Sequence, residues 1–221
     1  MLKKAKRWHL FADEIHPLPV RQNVGRALAH EDKLRLLRTS AARPEWQTAA
    51  WAAGLALNTT MRGCEIKGLC WRDVDMMERT ITIRNSKTEA GERVLPLNAD
   101  AWAVILELYE RAKTMSAVEG SHYLFFSCEV AKVDPNRPMK SWRTAWRRLT
   151  RAVTCPACRT LQDPGQTCTN GECGLDIVKQ KSPFAGLRFH DLRHAAITEL
   201  AEKANSDSVI RSIAGHVSPK C

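Results

Sequence analysis

The stretch Phe189–His194 reads FHDLRH and places His190 and Arg193 three residues apart at the start of a predicted helix. Side chains three apart on a helix lie on one face, so two donor groups are aimed in the same direction. The open amides and the dipole of a helix N-terminus would add to the attraction for an anion. By itself the pattern also fits a helix cap beside a surface ion pair, so the rest of the chain must decide between the two.

The whole chain carries an excess of positive charge. Its 221 residues include 34 Lys or Arg against 24 Asp or Glu, a formal net charge of +10. This balance favours a polyanionic partner, with nucleic acid ahead of an acidic membrane surface. No run approaches the roughly 20 apolar residues that span a bilayer, and charges occupy the N-terminus where a signal peptide has its apolar centre. We therefore expect a cytoplasmic protein with no membrane association.

Apolar periodicity predicts a mainly α fold with a small antiparallel β-sheet, which is an α+β class. The alternating pattern of residues 78–98, interrupted by a polar turn with a glycine, predicts a β-hairpin. Helices are predicted from His30 onward and in residues 45–58, 62–70, 99–113, 137–151, 190–203 and 207–215.

The predicted helix 137–151 is unusually basic. It contains six cations and no acid, while Trp142, Trp146 and Leu149 fall on one apolar face. Such a helix could neutralise several phosphates of a nucleic acid, although a solvated basic face is the alternative. The candidate nucleic-acid-binding residues are Arg137, Lys140, Arg143, Arg147, Arg148 and Arg151.

Four of the eight cysteines are clustered between positions 155 and 173. In a reducing cytoplasm, clustered thiols hold a metal more often than they form disulfides. Four thiolates on turns rich in Gly and Pro suit a structural zinc with no open coordination position. Four incidental cysteines are the alternative, but they would leave a long structureless loop inside the domain. The predicted zinc ligands are Cys155, Cys158, Cys168 and Cys173.

Four segments, in this order along the chain, resemble the catalytic domain of the tyrosine recombinases, the phage integrase family. The resemblance runs from about His30 to the last residue. It implies a tyrosine-recombinase-like catalytic domain in residues 29–221, preceded in residues 1–28 by a linker or the stub of a missing N-terminal DNA-binding domain. Residues 155–173 would be a zinc-knuckle-like insertion. The segments are MRGCEIKGLCWRDVD with Arg62, SKTEAGERVLPL with Lys87, FHDLRH with His190 and Arg193, and AGH with His216.

The resemblance implies site-specific recombination of double-stranded DNA, such as integration, by transesterification at a scissile phosphate and without a catalytic cofactor. Arg62 and Arg193 would clamp the non-bridging phosphate oxygens as negative charge develops. His190 would help to take the proton from the nucleophile, Lys87 would protonate the leaving 5′ oxygen, and His216 would donate to the phosphate. The expected partners are duplex DNA and other recombinase protomers, at the nucleoid.

The family's nucleophile is a tyrosine beyond the GH dipeptide, whereas this sequence ends five residues after His216 and its only tyrosines are Tyr109 and Tyr123. Both lie far upstream, in segments with the pattern of core. The resemblance therefore predicts a domain that binds DNA without cleaving it, with self-assembly weakened by a missing C-terminal segment. A non-enzymatic relative that acts by occupying its DNA site is the alternative. A zinc-ribbon adaptor would leave the four ordered segments unexplained.

Overall fold

The computed structural model describes residues 28–84, 92–129, 132–203 and 206–215. These residues form seven α-helices and three small antiparallel sheets, so the predicted fold class is confirmed. None of the helices in these ranges is long and apolar enough to cross a membrane. The helices are α1 (His30–Ala41), α2 (Gln47–Thr59), α3 (Gly63–Gly68), α4 (Ala99–Thr114), α5 (Arg143–Arg151), α6 (Phe189–Glu202) and α7 (Asp207–Ala214).

The strands form one three-stranded sheet and two hairpins. In the first sheet the order is β1-β2-β3, and the predicted hairpin is its β2-β3 pair, registered from Thr80 opposite Pro96 to Ile83 opposite Arg93. The other pairs are β4-β5 and β6-β7. The strands are β1 (Val74–Asp75), β2 (Thr80–Ile83), β3 (Arg93–Pro96), β4 (Phe126–Glu129), β5 (Lys132–Pro138), β6 (Val153–Thr154) and β7 (Leu161–Gln162).

Helix α2 is the centre of the core because it is apolar on nearly every side. Leu55 and Leu57 are buried, and α2 packs against α1, α4 and α6. Gly54 allows the close approach of α4, since a Cβ at this position would lie 2.9 Å from Val104 Cγ2. The end of α2, which leads into the segment with Arg62, is thereby fixed from three sides.

The basic helix is shorter than predicted. It begins at Arg143, while Arg137 lies on strand β5 and Lys140 lies in the connection to α5. The difference has two structural causes: residues Lys132–Pro138 pair with β4, and the Ser141 hydroxyl accepts from the Arg143 N–H at 2.9 Å at the start of the helix. The prediction of one helix across residues 137–151 was therefore wrong for its first six residues.

The apolar face of α5 is confirmed and leads directly to α6. Trp142, Trp146 and Leu149 are buried, and the ring of Phe189 lies 5.0 Å from Trp142 and 5.2 Å from Trp146 between centroids. The Trp146 indole N–H donates to the Leu187 carbonyl at 3.1 Å. This aromatic contact sets where α6 starts, and with it the position of the residues that follow Phe189.

Candidate functional site

Arg62 stands at the start of α3, immediately after a sharp turn. Thr60 ends α2 in the left-handed conformation (φ 58°), and Arg62 is the N-cap of α3. Its backbone N–H donates to Glu65 Oε2 at 2.8 Å, and its guanidinium Nη1 lies 2.8 Å from Glu65 Oε1. About a third of the Arg62 side chain (33%) remains exposed, so the guanidinium is fixed at its base and accessible at its tip.

Glu65 also holds a second arginine, which the sequence analysis missed. Arg93 of β3 places Nη2 3.0 Å from Glu65 Oε2, and its Nε donates to the Ile213 carbonyl at 2.8 Å. Both side chains are almost fully buried. Although burial alone would raise it, hydrogen bonds from Arg93 and Arg62 lower the pKa of Glu65. One carboxylate thus joins α3, β3 and the end of α7.

Arg193 is the most buried of the cations at this site, with 3% of its surface exposed. Its guanidinium donates to the carbonyls of Thr60 and Ala214, at the C-terminal ends of α2 and α7. Burial, followed by the positive charges of Arg62 and Arg93, lowers the pKa of Arg193 to about 10. The side chain therefore stays protonated at neutral pH, and an anion beside it would relieve the repulsion between the guanidiniums.

His190 occupies the first turn of α6, one turn before Arg193, but it points outward while Arg193 points into the protein. Its ring lies 5.0 Å from the ring of His194 in an edge-to-face arrangement. Burial, the His194 charge and the Arg193 charge lower the pKa of His190. The imidazole is consequently neutral at pH 7 and can accept a proton. The sequence analysis did not single out His194, although its spacing of four from His190 is the signal that would have found it.

The start of α6 is held by a reciprocal cap. The backbone N–H of Arg188 donates to Asp191 Oδ2 at 2.9 Å, and the Arg188 guanidinium lies 2.7 Å from Asp191 Oδ1. Burial alone would raise it, but these Arg188 hydrogen bonds lower the pKa of Asp191. The carboxylate therefore stays ionised and fixes the first turn that presents His190.

Two predicted site residues, Lys87 and His216, lie outside the described residues. The residue before His216 is Gly215, which closes α7 in the left-handed conformation with φ 61°. A Cβ at Gly215 would lie 2.8 Å from Arg93 Nη1. Only glycine fits both the backbone conformation and the close approach of the Arg93 guanidinium.

Four of the six predicted DNA-binding cations lie on α5. Arg143, Arg147, Arg148 and Arg151 are exposed there. The other two predicted cations are already paired with an acid, since Arg137 Nη1 lies 3.9 Å and Lys140 Nζ 3.1 Å from carboxylate oxygens of Glu129. The four helical arginines thus provide most of the uncompensated charge of this surface.

The four clustered cysteines come together in space. Their sulfur atoms all lie within 4.8 Å of one another, with Cys155 3.7 Å from Cys173 and Cys158 3.5 Å from Cys168. A tetrahedral site with Zn–S bonds of about 2.3 Å has edges of about 3.8 Å. The cluster therefore has the donor atoms and the size to bind a metal ion with four thiolates.

Two similar turns present the four sulfurs. The Cys155 N–H donates to the Thr160 carbonyl at 2.9 Å, and the Cys168 N–H donates to the Leu175 carbonyl at 2.8 Å. The first turn carries Cys155 and Cys158, and the second carries Cys168 and Cys173. The residue that follows each turn's second cysteine has a left-handed backbone, with φ 63° at Arg159 and 56° at Gly174. Residues 153–177, which contain the four cysteines and are called the cysteine module below, have their own small core, to which Val153 and Ile177 contribute.

The thiols of the cluster cannot all ionise together in the absence of a cation. Hydrogen bonds with Thr160 lower the pKa of Cys158 to about 6. The backbone N–H of Asn170 favours the Cys168 thiolate, but burial and the neighbouring Cys158 raise the pKa of Cys168 to about 12. A divalent ion would remove this conflict by displacing the remaining protons.

Comparisons with known proteins agree with this architecture. The model of the phage integrase family matches residues 26–159, which is more than half of the chain. No curated protein sequence gives a significant match.

Several solved structures are similar in fold. The Tn1549 transposon integrase in complex with a circular intermediate DNA has a TM-score of 0.62 and 17% identity, over 97% of this chain and 69% of that one. The XerA recombinase has a TM-score of 0.58 and 18% identity, over 98% and 66%. A lambda integrase tetramer bound to a Holliday junction has a TM-score of 0.54 and 19% identity, over 98% and 56%.

Proposed function

Since the chain belongs to the phage integrase family, we propose that it binds duplex DNA and holds one phosphodiester in the arginine cluster formed by Arg62, Arg93 and Arg193. The observation that carries this proposal is the excess of positive charge at the cluster, which has three guanidiniums and one carboxylate. The carboxylate of Glu65 is paired with both Arg62 and Arg93. The third guanidinium, that of Arg193, donates to two carbonyls and is close enough for the charges of Arg62 and Arg93 to lower its pKa. A phosphate is the anion whose geometry suits such planar donors.

Each described residue has a distinct role in the proposed reaction. Arg62 has an accessible guanidinium and binds the non-bridging oxygens, and Arg193 adds its positive charge from behind. Arg93 acts through Glu65 and is a positioning residue. The neutral His190 accepts the proton of the nucleophile. By resemblance to the family, Lys87 protonates the leaving 5′ oxygen and His216 donates to the phosphate.

The two tyrosines of this sequence are placed as structural residues. The Tyr109 ring packs edge-on against Trp71 at 5.2 Å between centroids. Tyr123 forms an isolated backbone bridge with Cys70, and its N–H donates to the Pro135 carbonyl at 2.9 Å. We therefore propose that these 221 residues bind DNA without forming a covalent adduct. Occupancy of a DNA site without cleavage is the second candidate function, and the same placement of the tyrosines favours it.

We propose that the cysteine cluster binds a structural zinc ion, because four thiolates without an open position suit zinc. Residues 155–173 then form an insertion in a recombinase-like domain of residues 29–221, with residues 1–28 as a linker. Within 153–177, one cation (Arg159) stands against three acids, a net charge of −2, and four thiolates with Zn²⁺ add another −2. An acidic module would repel DNA, so its proposed role is structural.

One contact supports this structural role. Arg43, just before the turn into α2, donates from Nη2 to the Leu161 carbonyl of the cysteine module at 2.6 Å, and its guanidinium lies over the Trp46 ring at 4.9 Å. Other protomers of the family are proposed as further partners on DNA at the nucleoid.

The test is the binding of a labelled random-sequence duplex across a salt series. We expect affinity to fall steeply with salt, and Arg62→Gln to weaken binding about tenfold or more. Arg79→Gln is the matched control, since it removes the same charge from an exposed turn between β1 and β2. Equal effects of the two substitutions would contradict a phosphate site at Arg62. A denaturing gel of the same samples should show no covalent adduct.

A further inference from the structure

A cavity of about 470 Å³ lies beside the arginine cluster, between the N-terminal ends of α3, α5 and α6. Two neighbouring lining residues connect it to that cluster: Gly63 directly follows Arg62, and Phe189 directly precedes His190. The cavity and the proposed phosphate site are therefore neighbours along two helices. A duplex with one phosphate at Arg62 can therefore reach this cavity with an adjacent part of its backbone.

The lining of the cavity is cationic. Lys67 of α3, Arg143 of α5 and Arg188 at the start of α6 contribute side chains, and no carboxylate is among the lining residues. The floor is apolar and buried, formed by Trp142 and Trp146. Three cations from three separate elements thus converge over a rigid base.

The existing contacts of these cations leave a surplus of positive charge. Arg188 is paired with Asp191, yet 47% of its side chain remains exposed. Lys67 Nζ donates to the Lys140 carbonyl at 3.3 Å, a neutral partner. Arg143 is exposed and forms no ion pair with any acid in the described part of the chain. Two of the three charges are therefore uncompensated.

We propose that this cavity binds a second backbone phosphate of the duplex, next to the one at Arg62, with Lys67 and Arg143 sharing that phosphate. This inference rests on the proposed DNA-binding function. Two contacts on adjacent phosphates fix both the position and the direction of the strand, whereas a single contact fixes only its position. The cavity would thereby set the register in which the phosphodiester meets His190.

A double-mutant cycle on the salt dependence of binding tests the shared phosphate. The logarithm of affinity falls with the logarithm of salt concentration by about 0.9 for each phosphate contacted. The variants are Lys67→Gln, Arg143→Gln and their double, measured with the labelled random-sequence duplex. The control cycle pairs Lys67→Gln with Arg147→Gln, because Arg147 is exposed on the same helix but does not line the cavity.

If Lys67 and Arg143 share one phosphate, each single variant leaves the slope nearly unchanged and their double variant lowers it by about one. In the control cycle, the double variant lowers the slope only as much as Arg147→Gln does alone, because Arg143 still holds the shared phosphate. A reduction of about two for Lys67 with Arg143, or no reduction, would overturn the proposal. These variants change exposed or half-exposed side chains, so their circular dichroism spectra should match that of the unaltered chain. Failure of the proposed function looks different, since Arg62→Gln would then bind DNA as the unaltered chain does.

Discussion

The shared carboxylate Glu65 gives the most direct test of the site's construction. Its side chain is 3% exposed and that of its partner Arg93 is 6% exposed, with ion-pair distances of 2.8 Å to Arg62 and 3.0 Å to Arg93. Removal of one partner from a buried pair costs about 3–5 kcal/mol, because the other charge is left uncompensated. Glu65→Gln keeps the shape and one acceptor oxygen, so we expect a loss of about 3 kcal/mol in the free energy of unfolding.

That loss corresponds to a decrease in Tm of about 6–12 °C for a domain of this size. Thermal unfolding followed by circular dichroism measures it. Glu110→Gln is the matched control, because the Glu110–Lys113 pair is exposed on α4 and its loss should leave Tm nearly unchanged. An equal decrease in Tm for the two variants would refute the reasoning.

The pH dependence provides a second check on Glu65. Its folded pKa is lowered, so the ion pairs stabilise the protein fully above the ordinary pKa of a glutamate, and this contribution is lost as the pH falls through the lowered value. The Tm of the unaltered protein should therefore approach that of Glu65→Gln only in acid. A difference in Tm that stays constant from neutral pH down to below that range would contradict the assigned pKa direction.

Three further results are expected. Zn²⁺ added to metal-free protein should release protons and raise Tm, and Cys158→Ser should abolish both effects while Cys128→Ser, an exposed cysteine outside the cluster, keeps them. In an NMR titration, His190 should have a pKa below that of an ordinary histidine, and His194→Ala should raise that pKa because the neighbouring imidazole lowers it; an unchanged midpoint would contradict the contact. Gly215→Ala should cost about 1–3 kcal/mol because of its positive φ and the approach of Arg93, whereas Gly171→Ala, with open space around it, should cost far less.

Local patterns in the sequence were sufficient for the parts of the fold that depend on local spacing. Periodicity and turn residues predicted the burial of α2 and the pairing of β2 with β3, and they placed the start of α6 at His190, one residue after its observed start at Phe189. The helix Arg143–Arg151 was wrongly extended to position 137, because charge and spacing do not show that Lys132–Pro138 pairs with β4.

The site could be predicted only in part. Arg62, His190 and Arg193 were predicted from their segments, but Arg93 was missed because its partner Glu65 is 28 residues away. The available signal was its position two residues before the buried Leu95, which places both on the inner face of β3. The Arg62–Glu65 pair is local, with a spacing of three, but the pair of Glu65 with Arg93 leaves no local pattern in the sequence.

The contact of Arg193 with Thr60 has a consequence for the order of events during synthesis. The two residues are 133 positions apart, so at about 5–20 residues per second the Thr60 carbonyl waits roughly 7–27 s for its donor to leave the ribosome. Helix α2 can form in that interval, but the Thr60 carbonyl at its end gains its hydrogen bond from Arg193 only when α6 packs against α2. The arginine cluster is therefore assembled late, and a ribosome-bound chain should acquire its affinity for DNA phosphate only after nearly the whole domain has been made.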